Sequence, residues 1–293
     1  YIVFAYVLFV GLLSNEAYYK KIISYTRSLV LLGFFAQIFY VLTLFLLDIY
    51  DDSQYNYLSP LVIMLTICCS AYALAFTKGI LTYLFLIASV IISFTFGHSS
   101  AILPIGVVTF FHFFLNIRHT IVKSIILFIG LTAMISTILF LPSYTDANAI
   151  WRLGYWYFTI NDLVVNKYLI LGNGFGVPYA TDELAHYLQV VQGASTTLGV
   201  GEESYFSPSH NSFITICFHI GLIPGLLIFY PFVKFFRNHT YSYVDSEFRF
   251  LFLSLIGLVV WSFFNVVLEL PHSSLFFWLI YFLFLFKLNI KNS

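Results

Sequence analysis

Nine apolar segments follow one another along this chain, at roughly 1–13, 28–47, 58–76, 79–97, 99–116, 121–141, 210–235, 248–268 and 273–288. Each runs apolar all round rather than alternating every second residue, the pattern of a buried or lipid-facing helix and not of a barrel strand. Most approach the ~20 residues a helix needs to cross a bilayer, and polar flanks extend the shortest into the interface. Composition closes off a water-soluble alternative. With 60% hydrophobic, 21% aromatic and 9% charged residues, against roughly 25% charged in a soluble domain, the chain cannot cover a water-facing surface. The expected fold class is therefore all-α: a polytopic integral membrane protein of about nine transmembrane helices, with residues 1–293 forming one membrane domain. The first segment opens on Tyr1 and is short of a span, so the chain reads as N-terminally truncated, beginning inside a helix.

Charge placement orients the segments. Lys20, Lys21, Arg27, Lys78, Arg118, Lys123, Lys234, Arg237, Arg249, Lys287 and Lys291 fall at one set of alternating ends, and only Arg152 and Lys167 at the other. Lys and Arg are retained on the cytoplasmic side, which places the first set and the C-terminus there and makes 142–209 an extracytoplasmic loop. A formal net charge of +0 leaves no basic footprint, so membrane lipids are expected as partners and nucleic acid is not. Cys68, Cys69 and Cys217 each sit in an apolar stretch, without the spacing of a disulfide framework or metal ligands, and no metal is expected.

Loops longer than about 15 residues are mostly functional or disordered. The 142–209 loop has the composition of an ordered one. Trp and Tyr crowd 151–163, as in a short amphipathic helix lying in the interface; 171–178, LGNGFGVP, reads as a glycine-rich turn; 192–204 is small and polar, a connection.

Arg152, beside Trp151 and Trp156, either grips an anion such as a diphosphate bidentately or snorkels to lipid headgroups as an anchor. His210 follows Pro208 where the next helix begins. The positive end of that helix disfavours imidazolium and leaves a neutral ring as a base near pH 7; alternatively the ring only accompanies a cap made by Ser209 or Asn211. His219 lies about 13 Å further along at 1.5 Å per residue, either functional at that depth or satisfied by a nearby Ser or backbone group. His98, Glu269 and His272 come out on the same outer face, as substrate partners or interface residues, and Lys167 adds charge there. GNGFG at 172–176 is no phosphate loop, because the following Lys and Ser/Thr are missing; positive φ values in a turn account better for its glycines.

In this order the motifs resemble the O-antigen ligase and O-antigen polymerase superfamily: an Arg-led amphipathic segment with a Trp (Arg152, Trp156), a Gly-x-Gly-x-Gly turn (Gly172, Gly174, Gly176), then His-Asn with a Gly-x-x-x-Gly tail (His210, Asn211, Gly221, Gly225). The resemblance is strongest over about 150–226 and weaker at Asn56–Pro60 and Phe94–Ser100. It departs at His98, where the family carries an Arg, and at His219, where a Glu is common. It implies a multi-pass, metal-independent, inverting glycosyltransferase of the bacterial cytoplasmic membrane with no cofactor. Such an enzyme moves glycan from an undecaprenyl diphosphate carrier, on the outer face, to lipid A–core (a ligase) or to the next lipid-linked repeat of O-antigen or capsule (a polymerase). On this resemblance Arg152 and His210 are catalytic and the motif residues Trp156 and Asn211 bind substrate; His98, Lys167, Glu269 and His272 are expected to bind substrate from their place on the same outer face, not from a motif. A diphosphate leaves without protonation when cations hold its charge, and the acceptor hydroxyl needs a base, so one cation and one base suffice. The competing class is a flippase-like transporter of lipid-linked oligosaccharide, which needs a polar path, discontinuous helices and related halves.

Overall fold

The computed structural model describes residues 15–46, 60–95, 101–117, 125, 130, 132, 147–174, 210–238, 245–268 and 270–290, and every regular element among them is helical. Segment 1–13, nearly all of 121–141, Asn56, the loop from Phe175 to Ser209, His98 and Glu269 lie outside the described residues. The chain groups into two compact units: Tyr1–Leu127 with Lys234–Trp261 and Leu270–Ser293, and Phe128–Val233 with Ser262–Glu269.

The first unit is built around α2 (Pro60–Phe76), which packs against α1 (Glu16–Leu46), α3 (Ile80–Thr95), α4 (Ile102–Asn116) and α10 (Pro271–Ile290). Proline suits the first position of α2 because the N–H it lacks would have no partner there. The run Cys68, Cys69, Ser70, Ala71 is fully buried, and small side chains let neighbouring backbones come close. Gly33 of α1 serves the same end: a Cβ there would lie 2.5 Å from Leu65 Cδ1. Gly257, in α9 (Ser246–Ser262), would meet Ile67 Cγ2 at 2.6 Å and Val108 Cγ2 at 2.7 Å. Gln37 donates to the Val62 carbonyl at 3.0 Å and accepts from Thr66 Oγ1 at 2.6 Å, so the one amide inside the α1–α2 seam is satisfied.

Of the cations assigned to one set of ends, Arg27, Lys234, Arg249 and Lys287 make contacts within this unit, whereas Arg118, Lys123 and Lys291 lie outside the described residues. Lys287 pairs with Glu247 at 2.8 Å and Asp245 at 3.2 Å, Tyr19 Oη donates to Glu247 at 2.8 Å, and Arg249 donates to Asn116 at 3.0 Å. Lys234 bonds Asn289, and Arg27 lies over the Phe76 ring at 5.1 Å. These contacts join the N-terminal ends of α1 and α9 to the C-terminal ends of α2, α4, α10 and α8 (Tyr230–Asn238).

Among the described residues, two helices, Glu16–Thr43 within α1 and Pro271–Asn289 within α10, are long and apolar enough to cross a membrane; Leu61–Phe76, Ile80–Ser93 and Ile102–Asn116 are apolar but shorter. Outward-facing side chains of α3, and of α1 from Leu29 to Leu42, are themselves apolar: Leu32, Phe39 and Ile80 are 69%, 73% and 77% exposed, whereas Glu16, Lys20 and Lys21 are exposed at the start of α1.

The second unit holds α5 (Ala147–Val165), α6 (Ser212–Ile220), α7 (Leu222–Leu226), a 3-10 turn at Leu227–Phe229, the start of α8, and the non-helical stretch 263–268. Two expectations change here. Segment 210–235 is not one helix, because Gly221 takes φ +89, outside the helical region, and divides α6 from α7. Segment 248–268 is helical only as far as Ser262, because the N–H groups of Val267 and Leu268, which a continuing helix would use, go instead to Ser212 Oγ at 2.8 and 3.1 Å. A helix expected over 151–163 is present as α5, which extends a few residues beyond it at both ends.

Candidate functional site

The site is built where α5, the start of α6 and the 263–268 stretch meet within the second unit. Asn211 is the N-cap of α6: its backbone is extended (φ −146, ψ 98) and its Oδ1 accepts from Ile214 N at 3.0 Å. Of the two candidate caps, the structure therefore assigns the role to Asn211, which is 3% exposed and has its side-chain oxygen committed to the helix. Ser212, the first helical residue, donates to the Asn265 carbonyl at 3.0 Å while accepting the two N–H bonds described above. A triad of rings, Phe213 with Phe229 at 5.6 Å and with Phe263 at 5.5 Å, holds the same stretch from the side.

On α5, Tyr155, Thr159 and Leu163 recur every four residues as the buried stripe facing α6. Leu153, Tyr157, Ile160 and Val164 form an exposed apolar face. Trp156 is half-buried, its ring 6.3 Å from Phe264 and tilted 53°, so it ties α5 to the 263–268 stretch. Arg152 lies one helical turn before Trp156 and is also half-buried.

His210 stands immediately before the cap, outside the helix and half-buried, with φ +51. A non-glycine residue in this left-handed region carries strain of roughly 1–2 kcal/mol, and such residues cluster at functional sites. Burial first, and the Arg152 guanidinium second, push the imidazole down from its ordinary value to about 4. The ring is thus neutral at pH 7, and the Arg152 charge is felt at His210 across a long stretch of sequence.

Lys167 is exposed and occupies the C-terminal stop of α5 at φ +63, where glycine is the usual residue. Its N–H bonds Val164 O at 3.2 Å and the next N–H, of Tyr168, reaches back to Leu163 O at 2.9 Å, the double closure of a Schellman stop. His272 belongs to the first unit, exposed in the first turn of α10.

From Lys167 the chain becomes a strap, 169–174, laid over the α6–α7 break. Asn173 N donates to Phe218 O at 2.6 Å, Gly174 N to His219 O at 2.9 Å, and Leu222 N to Leu169 O at 2.8 Å. Gly172 (φ +74) would place a Cβ 2.5 Å from the His219 carbonyl, and one on Gly221 would collide with the Ile170 carbonyl. The His219 ring joins this lock, its Nδ1 lying 2.8 Å from the Gly174 carbonyl, so it donates from Nδ1. Asp162 accepts from Asn166 at 2.7 Å and Asn173 at 3.4 Å, fastening the strap to α5.

Compared with known proteins, the chain matches no protein-family model, no curated protein and no solved structure.

Of the residues picked from the sequence, Arg152, Trp156, His210 and Asn211 come together in the second unit. Ser212 and Asn265 were missed because both sit inside apolar runs assigned to spans. The signal was an asparagine inside an apolar run, where a buried amide is costly unless used.

Proposed function

We propose that the chain is a multi-pass protein of the bacterial cytoplasmic membrane, of about nine spans, that transfers glycan from undecaprenyl diphosphate on the extracytoplasmic face. This reading makes it a metal-independent, inverting glycosyltransferase of the O-antigen ligase and polymerase kind. The observation that carries it is the coupling of Arg152 to His210 at the start of α6, a cation and a neutral base in one place. Arg152 holds the donor's diphosphate. His210 takes the proton of the acceptor hydroxyl as its oxygen bonds to the anomeric carbon, and the carbon–oxygen bond to the diphosphate breaks with its electron pair leaving on the diphosphate. The diphosphate also offsets the Arg152 charge beside His210, which makes the imidazole a stronger base once donor is bound.

The membrane setting draws on the outward-facing apolar side chains of α1 and α3, which favour lipid over water, and on α5, whose exposed face is apolar as in a helix lying in the interface. The transporter alternative has one feature in its favour, the broken helix at Gly221. The break, however, does not offer its carbonyls to a passing ion: Phe218 and His219 give theirs to the strap.

The test is binding of undecaprenyl diphosphate to the purified protein in nanodiscs. The wild type should bind, and Arg152→Lys, which keeps the charge but loses the bidentate fork, should bind at least about tenfold more weakly. Equal binding by the Lys variant would reduce Arg152 to a lipid anchor.

A further inference from the structure

We propose that the side-chain amide of Asn265 donates hydrogen bonds to the same donor diphosphate that Arg152 holds. The inference rests on the glycan-transfer reading and adds to it a residue that neither motif contains. Asn265 lies in the non-helical stretch after α9, is 6% exposed, and its Nδ2 has no hydrogen-bond partner among the described residues. Buried amides are nearly always paired, and leaving a donor unsatisfied costs stability that an apolar side chain of the same shape would not. The cost is incurred at a defined place. The Asn265 carbonyl accepts from Ser212 Oγ at 3.0 Å, which puts the residue beside the first turn of α6, at the residue that follows His210 and the Asn211 cap in sequence. Its neighbour Phe264 carries the ring against which Trp156 packs, one helical turn from Arg152.

The stretch itself is set up to present side chains. Irregular backbone at membrane depth persists where it is buried in protein or lines a cavity, and here Ser212 Oγ takes up the freed N–H groups of Val267 and Leu268. An Nδ2 group can only donate, so its partner must be an acceptor. A diphosphate consists of acceptors alone, and Arg152 and Asn265 then hold it from two elements, the charge from α5 and the neutral donor from the 263–268 stretch.

The experiment measures undecaprenyl diphosphate binding and thermal unfolding of wild type, Asn265→Leu and Asn265→Asp in zwitterionic nanodiscs. Asn265→Leu should bind about tenfold more weakly while unfolding at an equal or higher temperature, because a near-isosteric apolar side chain replaces an unpaired amide. Asn265→Asp, which keeps the size and sets a carboxylate against an anion, should bind more weakly still, and it decides the matter if the Leu variant does not accumulate. Variant binding within twofold of wild type overturns the assignment of Asn265 alone. Absence of binding by the wild type overturns the glycan-transfer reading and this inference with it. Nanodiscs containing phosphatidylglycerol form a second arm: if headgroup phosphates were the occupant, they would compete and erase the difference between wild type and Asn265→Leu, contradicting a donor diphosphate.

Discussion

His210 combines a left-handed backbone with an imidazole held near 4, and both features have measurable consequences. Its folded value lies below the ordinary 6.5, so between these two pH values the unfolded chain binds the proton more readily. The stability it contributes is complete above about pH 6.5 and is lost as pH falls toward 4, and His210→Gln should flatten that part of the unfolding profile. Arg152→Gln should move the His210 titration upward but short of 6.5, because burial is the larger cause; an unchanged titration would uncouple the pair. If the protein transfers glycan as proposed, kcat/KM should report the low value of the free protein and kcat a higher one, once a bound diphosphate offsets Arg152. At this scale the sequence was partly legible. Arg152 and His210 stood out as a cation and an imidazole at an outer face, whereas the role of His219 could not be read, because its partner Gly174 is brought to it only by the strap.

The glycines of the strap and of the α6–α7 break work as one element. Gly172 and Gly221 combine positive φ with backbone contact that excludes a Cβ, while Gly174 has positive φ and open space. Gly221→Ala and Gly172→Ala should therefore lower stability by about 2–4 kcal/mol, from steric overlap added to the left-handed penalty, and Gly174→Ala by about 1–2 kcal/mol. Thermal unfolding in detergent measures the order. Equal effects at all three positions would mean that the strap does not press on the break. Apolar runs made α1 to α4 and α10 recognisable, α1 only from 28 onward although it begins at Glu16, and the Trp and Tyr content of 151–163 marked α5. The apolar runs could not locate the two interruptions, at Gly221 and after Ser262, because each is set by hydrogen bonds to a distant stretch, from Leu222 N to Leu169 O in one case and from Val267 N and Leu268 N to Ser212 Oγ in the other.

For the whole molecule, the clustering of Lys287, Arg249, Lys234 and Arg27 at one end of the first unit gives the charge pattern a physical form. With that end cytoplasmic, a cysteine at exposed Asn166 should react with a membrane-impermeant thiol reagent in intact spheroplasts, and one at exposed Ser246 should not; the native Cys68, Cys69 and Cys217 are buried and add little background. Reversed labelling would put the Arg152–His210 pair on the wrong side for lipid-linked glycan. The most direct measurement of the central claim uses purified protein in proteoliposomes supplied with lipid-linked glycan from bacterial membranes, following release of undecaprenyl diphosphate. The expected result is release coupled to glycan extension or transfer, reduced by about 10²–10⁴-fold in His210→Ala at equal abundance. Movement of intact lipid-linked glycan across the bilayer with no release, or release by His210→Ala within about threefold of wild type, would contradict it.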